Sequence, residues 1–184
     1  RAGAKVVLLN RTRASAERVA ETIRAFGGEV MVVEANVLDK PALERTAQEV
    51  LARYGRVDAL INGAGGNRPE ATTGPDNPFV EMPERAIREV FDLNWMGTFL
   101  PCQVYARIMA KQGRGAIINI ASVNAFKPLT RVPAYSAAKG AVANFTQWLA
   151  AHLSLEYSTG IRVNAIAPGF YLTRQNRYLL VDEK

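Results

Sequence analysis

Three residues have the types and spacing to move a proton: Ser122, Tyr135 and Lys139, read as Ser-x12-Tyr-x3-Lys. Tyr135 and Lys139 are four apart in a long helical pattern, which sets them on one helix face. Ser122 closes the apolar run 116–121, a buried strand bounded by Gly113 and Gly115. A phenol, with a reference pKa of about 10, is a poor base at neutral pH, and an ammonium beside it favours the phenolate. A hydroxyl at a strand end, in reach of the same point, can hold a substrate oxygen as charge develops on it. Together the three could take a proton from an alcohol or return one to a nascent alkoxide. A Tyr and a Lys one turn apart also arise by chance, so the pattern acquires meaning only from the elements around it.

Those elements alternate. Residues 6–9 (Val-Val-Leu-Leu) form a short continuous apolar run, as expected of a parallel strand covered on both faces. The helix after it has Val19, Ile23 and Phe26 as its expected inward stripe and Gly27-Gly28 as its stop. Residues 30–33 read as a second strand. Asp39 is the expected N-cap of a helix with Pro41 in its first turn and Leu43, Ala47, Val50, Leu51 and Tyr54 facing inward. A third strand over 57–61 runs into Asn62-Gly63-Ala64-Gly65-Gly66, and a polar loop follows over 67–78. Helical patterns cover roughly 83–112 and 133–157, and a last strand over 161–167 is closed by Pro168-Gly169.

Such alternation implies parallel strands joined by right-handed crossovers. The expected fold is one doubly wound, Rossmann-like α/β domain over 1–184, with ligands beyond the carboxyl ends of its strands. Asn10, Asn36, Asn62 to Gly66, Ser122 and Pro168-Gly169 all fall at such ends.

Composition narrows the classes. Of 184 residues, 48% are hydrophobic and 22% charged, as in ordinary globular domains. A lone cysteine, Cys102, and a lone histidine, His152, disfavour a thiolate metal site, an intrachain disulfide or a Ser-His-Asp triad. No membrane span or signal peptide is visible, and the default setting is reducing and cytoplasmic. The net charge of +6 comes from scattered Lys and Arg, a pattern that disfavours nucleic acid and leaves anionic small molecules as partners.

The helical pattern over 133–157 carries two apolar stripes, Val142-Phe145-Leu149-Leu153 and Ala141-Trp148-Ala151-Leu155. One stripe suffices for a helix lying on its own sheet. The second predicts a homodimer or homotetramer, with Phe91, Trp95, Phe99 and Tyr105 as a partner surface.

These residues resemble the short-chain dehydrogenase/reductase family, and within it the D-mannonate (fructuronate) oxidoreductases. The resemblance implies that Ser122, Tyr135 and Lys139 are its catalytic Ser, Tyr and Lys, and that Asn94 holds a water in the proton relay. Asn62-Gly63-Ala64-Gly65 is similar to the Asn-Asn-Ala-Gly stretch beside the cofactor, with Gly63 replacing the second Asn. Pro168-Gly169 and Thr173 match the segment that holds the nicotinamide carboxamide. Asn10 stands where NAD-preferring members carry an acid. Arg11 beside it suits a 2′-phosphate, so the expected cofactor is NADP, with NAD the alternative. Asn36 and Val37 stand at the adenine. The family's first strand, Gly-rich phosphate loop and last strand have no counterpart, so the domain is expected to be truncated at both ends.

The implied reaction is hydride transfer between a nicotinamide and a secondary alcohol or ketone. Asn67, Arg68, Asn124, Lys127, Arg174 and Asn176 would give the mouth hydroxyl partners and cations, which suits a sugar acid. The alternatives are a 3-ketoacyl-carrier-protein reductase, its acidic carrier drawn to the basic mouth, and a non-catalytic remnant of the fold.

Overall fold

The computed structural model describes residues 3–129 and 131–170. Thr173, Arg174 and Asn176, expected at the cofactor and the substrate, lie outside the described residues. The order is β1 (Val6–Asn10), α1 (Arg13–Ala25), β2 (Val30–Glu34), α2 (Lys40–Tyr54), β3 (Ala59–Asn62), α3 (Glu84–Gln112), β4 (Gly115–Ile120), α4 (Pro133–Glu156) and β5 (Ile161–Ile166). Short 3-10 turns interrupt the connections at Pro69–Ala71, Phe79–Glu81 and Val123–Ala125. Strands and helices alternate and every strand pairing is parallel, so the chain is an α/β domain as expected.

The strands form two hydrogen-bonded groups, β1-β2 and β3-β4-β5, rather than one continuous sheet. Among the described residues β1 pairs only with β2 and β3 only with β4. The first group is covered on both faces, which is why its strands are apolar throughout. Val6, Leu8, Val30 and Val32 pack with α1. Val7, Leu9 and Met31 turn the other way, onto the main core of α2, α3, α4, β4 and β5. In the second group Leu60, Ile117, Ile161 and Val163 face that core, while Ile61 and Ile166 on the opposite face are 65% and 52% exposed.

α1 corrects one expectation. Val19 and Phe26 are exposed, and Ala16, Ala20 and Ile23 form the face against β1 and β2. Phe26 stands past the last turn as the C-cap, and two alanines let the helix sit close to strands whose larger side chains fill the layer. α2 forms as read. The Asp39 carboxylate accepts from Ala42 N at 3.1 Å, Pro41 occupies the first turn, and Gly55 ends the helix at φ 73°. In α4 the stripe Val142, Phe145, Leu149 and Leu153 is buried, and Trp148 and Leu155 of the second stripe face outward.

Candidate active site

β4 and α4 carry the three chemical residues, and α4 packs against the turn that Ser122 caps. Ser122 follows β4 in extended backbone and caps the Val123–Ala125 turn, its Oγ accepting from Asn124 N at 3.2 Å. With one lone pair used there, its hydrogen is left to donate. Tyr135 lies in the first turn of α4, half-buried against Ala71, Ala86, Val90 and Ala134. Lys139, one turn on, is 4% exposed. Its Nζ donates to Ile120 O at 2.6 Å and stands 5.6 Å from the Tyr135 ring centroid. Burial pulls its pKa down from 10.5 to about 8, because the charged form is the one that loses its water.

Asn94 has a role the sequence did not reveal. Its Nδ2 donates to Gly66 O at 2.7 Å and Val90 O at 2.8 Å, and its Oδ1 accepts from Gly66 N at 3.2 Å. The fully buried amide thus pins the loop after β3 to α3. Gly65 fits between this clamp and the lysine. A Cβ there would lie 2.6 Å from Asn94 Oδ1 and 3.3 Å from Lys139 Nζ.

Asn62 anchors the same loop from the strand. Its Nδ2 donates to Asn119 Oδ1 at 2.9 Å and contacts Cys102 Sγ at 3.1 Å, while Asn119 Nδ2 donates to Thr146 Oγ1 at 2.9 Å. This buried polar chain links β3, β4, α3 and α4 beneath the site. Burial pushes the Cys102 thiol up to about 12, so it is a packing group rather than a nucleophile. Gly63, followed by Ala64, leaves open space where a side chain would stand.

The remaining sequence-predicted residues are distributed along the strand ends. Asn10 Oδ1 accepts a long bond from Thr12 N at 3.4 Å. Arg11 is exposed and makes no ion pair among the described residues, whereas Arg13 pairs with Glu17 at 3.6 Å. Asn36 spends its Oδ1 on Leu38 N at 3.0 Å, and Val37 packs over Gly97, where a Cβ would meet its Cγ2 at 3.0 Å. Pro168 O accepts from Val123 N at 3.0 Å, tying Pro168-Gly169 to the turn that Ser122 caps. At the mouth, Asn67 and Asn124 are held in the loops after β3 and β4. Arg68 is engaged by Glu89 at 2.8 Å, and Lys127 is exposed. Thr73 N donates to Arg131 O at 2.8 Å, so the two loops meet.

The short chain dehydrogenase family matches residues 1–184. The chain belongs to the short-chain dehydrogenase family. An uncharacterised oxidoreductase of Bacillus subtilis (strain 168), UxuB, is 47% identical over 191 residues, covering 100% of this chain and 68% of the relative. A crystal structure described as a candidate D-mannonate oxidoreductase from Haemophilus influenza, with bound NAD, is 43% identical with a TM-score of 0.89. It is covered to 67% of its length by 98% of this chain. A gluconate 5-dehydrogenase from Burkholderia cenocepacia J2315, in complex with NADP and tartrate, is 29% identical with a TM-score of 0.84. There 98% of this chain covers 67% of the neighbour. The chain thus spans about two thirds of the length of these short-chain dehydrogenases.

Proposed function

We propose that this chain is the catalytic and nicotinamide-binding part of an oxidoreductase acting on a secondary alcohol or ketone, with a sugar acid of the D-mannonate/fructuronate kind as substrate. The observation that carries the reading is Lys139: a buried ammonium fixed on Ile120 O, over the face of Tyr135, on the helix that packs against the turn capped by Ser122. Lys5 and Arg53 also lie over a tyrosine ring, that of Tyr54, but both are exposed, and among the described residues no His, Cys, Asp or Glu cluster could hold a metal ion.

The residues at the strand ends suit a nicotinamide dinucleotide. Lys139 has ammonium hydrogens beyond the one given to Ile120 O, which suit ribose hydroxyls. Asn36, its oxygen already used, offers its Nδ2 as a donor to adenine. Arg11, with no ion pair among the described residues, offers a guanidinium for a 2′-phosphate and favours NADP over NAD. A bound nicotinamide supplies or receives the hydride. In the reducing direction Tyr135 gives its phenolic proton to the substrate oxygen as that oxygen gains charge. Ser122 donates a hydrogen bond to the same oxygen, and Lys139 stabilises the negative charge left on Tyr135. Asn94 keeps the loop after β3 in place, and its position next to Gly65 suits the water of the proton relay. No helix among the described residues is long and apolar enough to cross a membrane, and a reducing cytoplasmic setting suits the single buried cysteine.

The test is Tyr135→Phe in the full-length protein, assayed by NADPH oxidation with D-fructuronate. The expected outcome is a loss of about 10²-fold or more in kcat with NADPH affinity nearly unchanged. A variant keeping more than about a tenth of wild-type kcat would remove Tyr135 from the reaction.

A further inference from the structure

Asn10 and Glu34 end the two strands of the first group, and they are direct register partners on β1 and β2. Their side chains share a face. Val6, Leu8, Val30 and Val32 pack with α1, and strand alternation carries Asn10 and Glu34 to that same side. The contacts agree: Asn10 Oδ1 accepts from Thr12 N at 3.4 Å, and Glu34 Oε2 accepts from Arg13 N at 3.0 Å. Arg11 stands between those contacts in the chain. Asn10, Arg11 and Glu34 are all exposed, so this strand end is open to a ligand. Neither Arg11 nor Glu34 makes an ion pair among the described residues, and Glu34 Oε1 accepts no hydrogen bond from them.

One strand end thus offers a guanidinium and a carboxylate that are not paired with each other, and they favour opposite ligands. The guanidinium suits a phosphate. The carboxylate only accepts, so it takes a hydrogen bond from a hydroxyl and repels a phosphate. The adenosine ribose of a nicotinamide dinucleotide carries a 2′-hydroxyl in NAD and a 2′-phosphate in NADP. We infer that Glu34 sets the choice between them: its carboxylate receives the 2′-hydroxyl of NAD and reduces the advantage that Arg11 gives NADP. The uncharged Asn10 favours neither, so the acid at this end of β1 comes from the neighbouring strand. The placement of the ribose here rests on the oxidoreductase reading. Glu34 also serves α1, because Thr12 makes no side-chain cap bond and Glu34 supplies the acceptor for Arg13 N. That service needs an oxygen and no charge, which separates the two roles. Glutamine keeps the oxygen and removes the charge.

The test measures dissociation constants of NADPH and NADH for the full-length protein by calorimetry, without turnover. Relative to the wild type, Glu34→Gln should tighten NADPH and weaken NADH, moving their ratio at least about threefold toward NADPH. Glu29→Gln removes the same charge just before β2, at the far end of the strand, and should move the ratio less than about threefold. The inference is overturned by a ratio that Glu34→Gln moves less than about threefold, by a move toward NADH, or by an equal move in Glu29→Gln. Should Glu34→Gln fail to fold, Glu34→Ser, with a smaller neutral acceptor, is judged by the same ratio. A wild type that binds neither dinucleotide would defeat the oxidoreductase reading and this inference with it. Binding of both with an unmoved ratio would defeat this inference alone.

Discussion

Lys139 is buried at a cost to stability. Its folded-state pKa near 8 lies below the ordinary 10.5, so the fold disfavours the charged form. Below about pH 8 the side chain is protonated in both states and the full burial penalty stands. Between pH 8 and 10.5 the unfolded chain binds more protons than the folded one, so stability rises with pH. Above 10.5 both forms are neutral and the penalty is gone. The fall from 10.5 to about 8 corresponds to about 3 kcal/mol. Lys139→Met should therefore show an unfolding free energy that changes less with pH in this window. Urea denaturation at pH 7 and 10.5 should find the wild type gaining up to about 3 kcal/mol on the variant; a constant difference would mean that the ammonium is not desolvated. At this scale the approach of Lys139 to Tyr135 was legible because four residues make one helix turn. The clamp of Asn94 on Gly66 was not, because it joins residues 28 apart through a loop whose path no periodicity encodes.

Between the elements, a chain of uncharged polar groups sets the registry of β3 and β4 under the site. Asn62 and Asn119 are direct register partners on parallel strands, with both side chains turned into the core. Asn119 accepts from Asn62 and donates to Thr146, which in turn donates to Val142 O at 2.7 Å. Asn119→Ala would leave Asn62 Nδ2 without its oxygen acceptor, at about 1–3 kcal/mol for a buried unsatisfied group. The loss is expected as a shift of the urea midpoint with little change in m, and a shift worth under about 0.5 kcal/mol would show that the chain contributes little. The strands themselves were readable as apolar runs and the helices by their caps, Asp39 most clearly. The inward face of α1 was not, because large apolar residues drew the stripe toward Val19 and Phe26 while alanines make the contact. Nor does the sequence of β3 show that Ile61 stands exposed among the described residues, since an apolar residue reads the same whether or not a neighbour covers it.

For the molecule as a whole, the outer face of α3 and α4 is one of the apolar surfaces among the described residues that a partner could cover. Trp148 is 55% exposed and Leu155 82%, on a helix whose inner stripe is already spent on the core. Trp148 stacks on His152 at 4.7 Å and on Phe145 at 6.0 Å, so the exposed indole is held rather than swinging freely. A groove of about 590 Å³ runs along this face, floored by Phe99, Ala106, Phe145 and Leu149 and walled by Trp148. A second copy is the occupant this geometry favours. A two-fold contact needs one self-complementary patch, and a ridge of Trp148 and Leu155 beside an apolar groove supplies both halves of it. The expected state of the full-length protein is a homodimer or homotetramer with Trp148 at a two-fold contact. Light scattering at micromolar concentration should give a multiple of the protomer mass, and Trp148→Glu with Leu155→Glu should lower it while leaving the fold intact by circular dichroism. A monomeric wild type would show that the second stripe is only a solvated apolar surface, and an unchanged mass in the double variant would place the contact on another face.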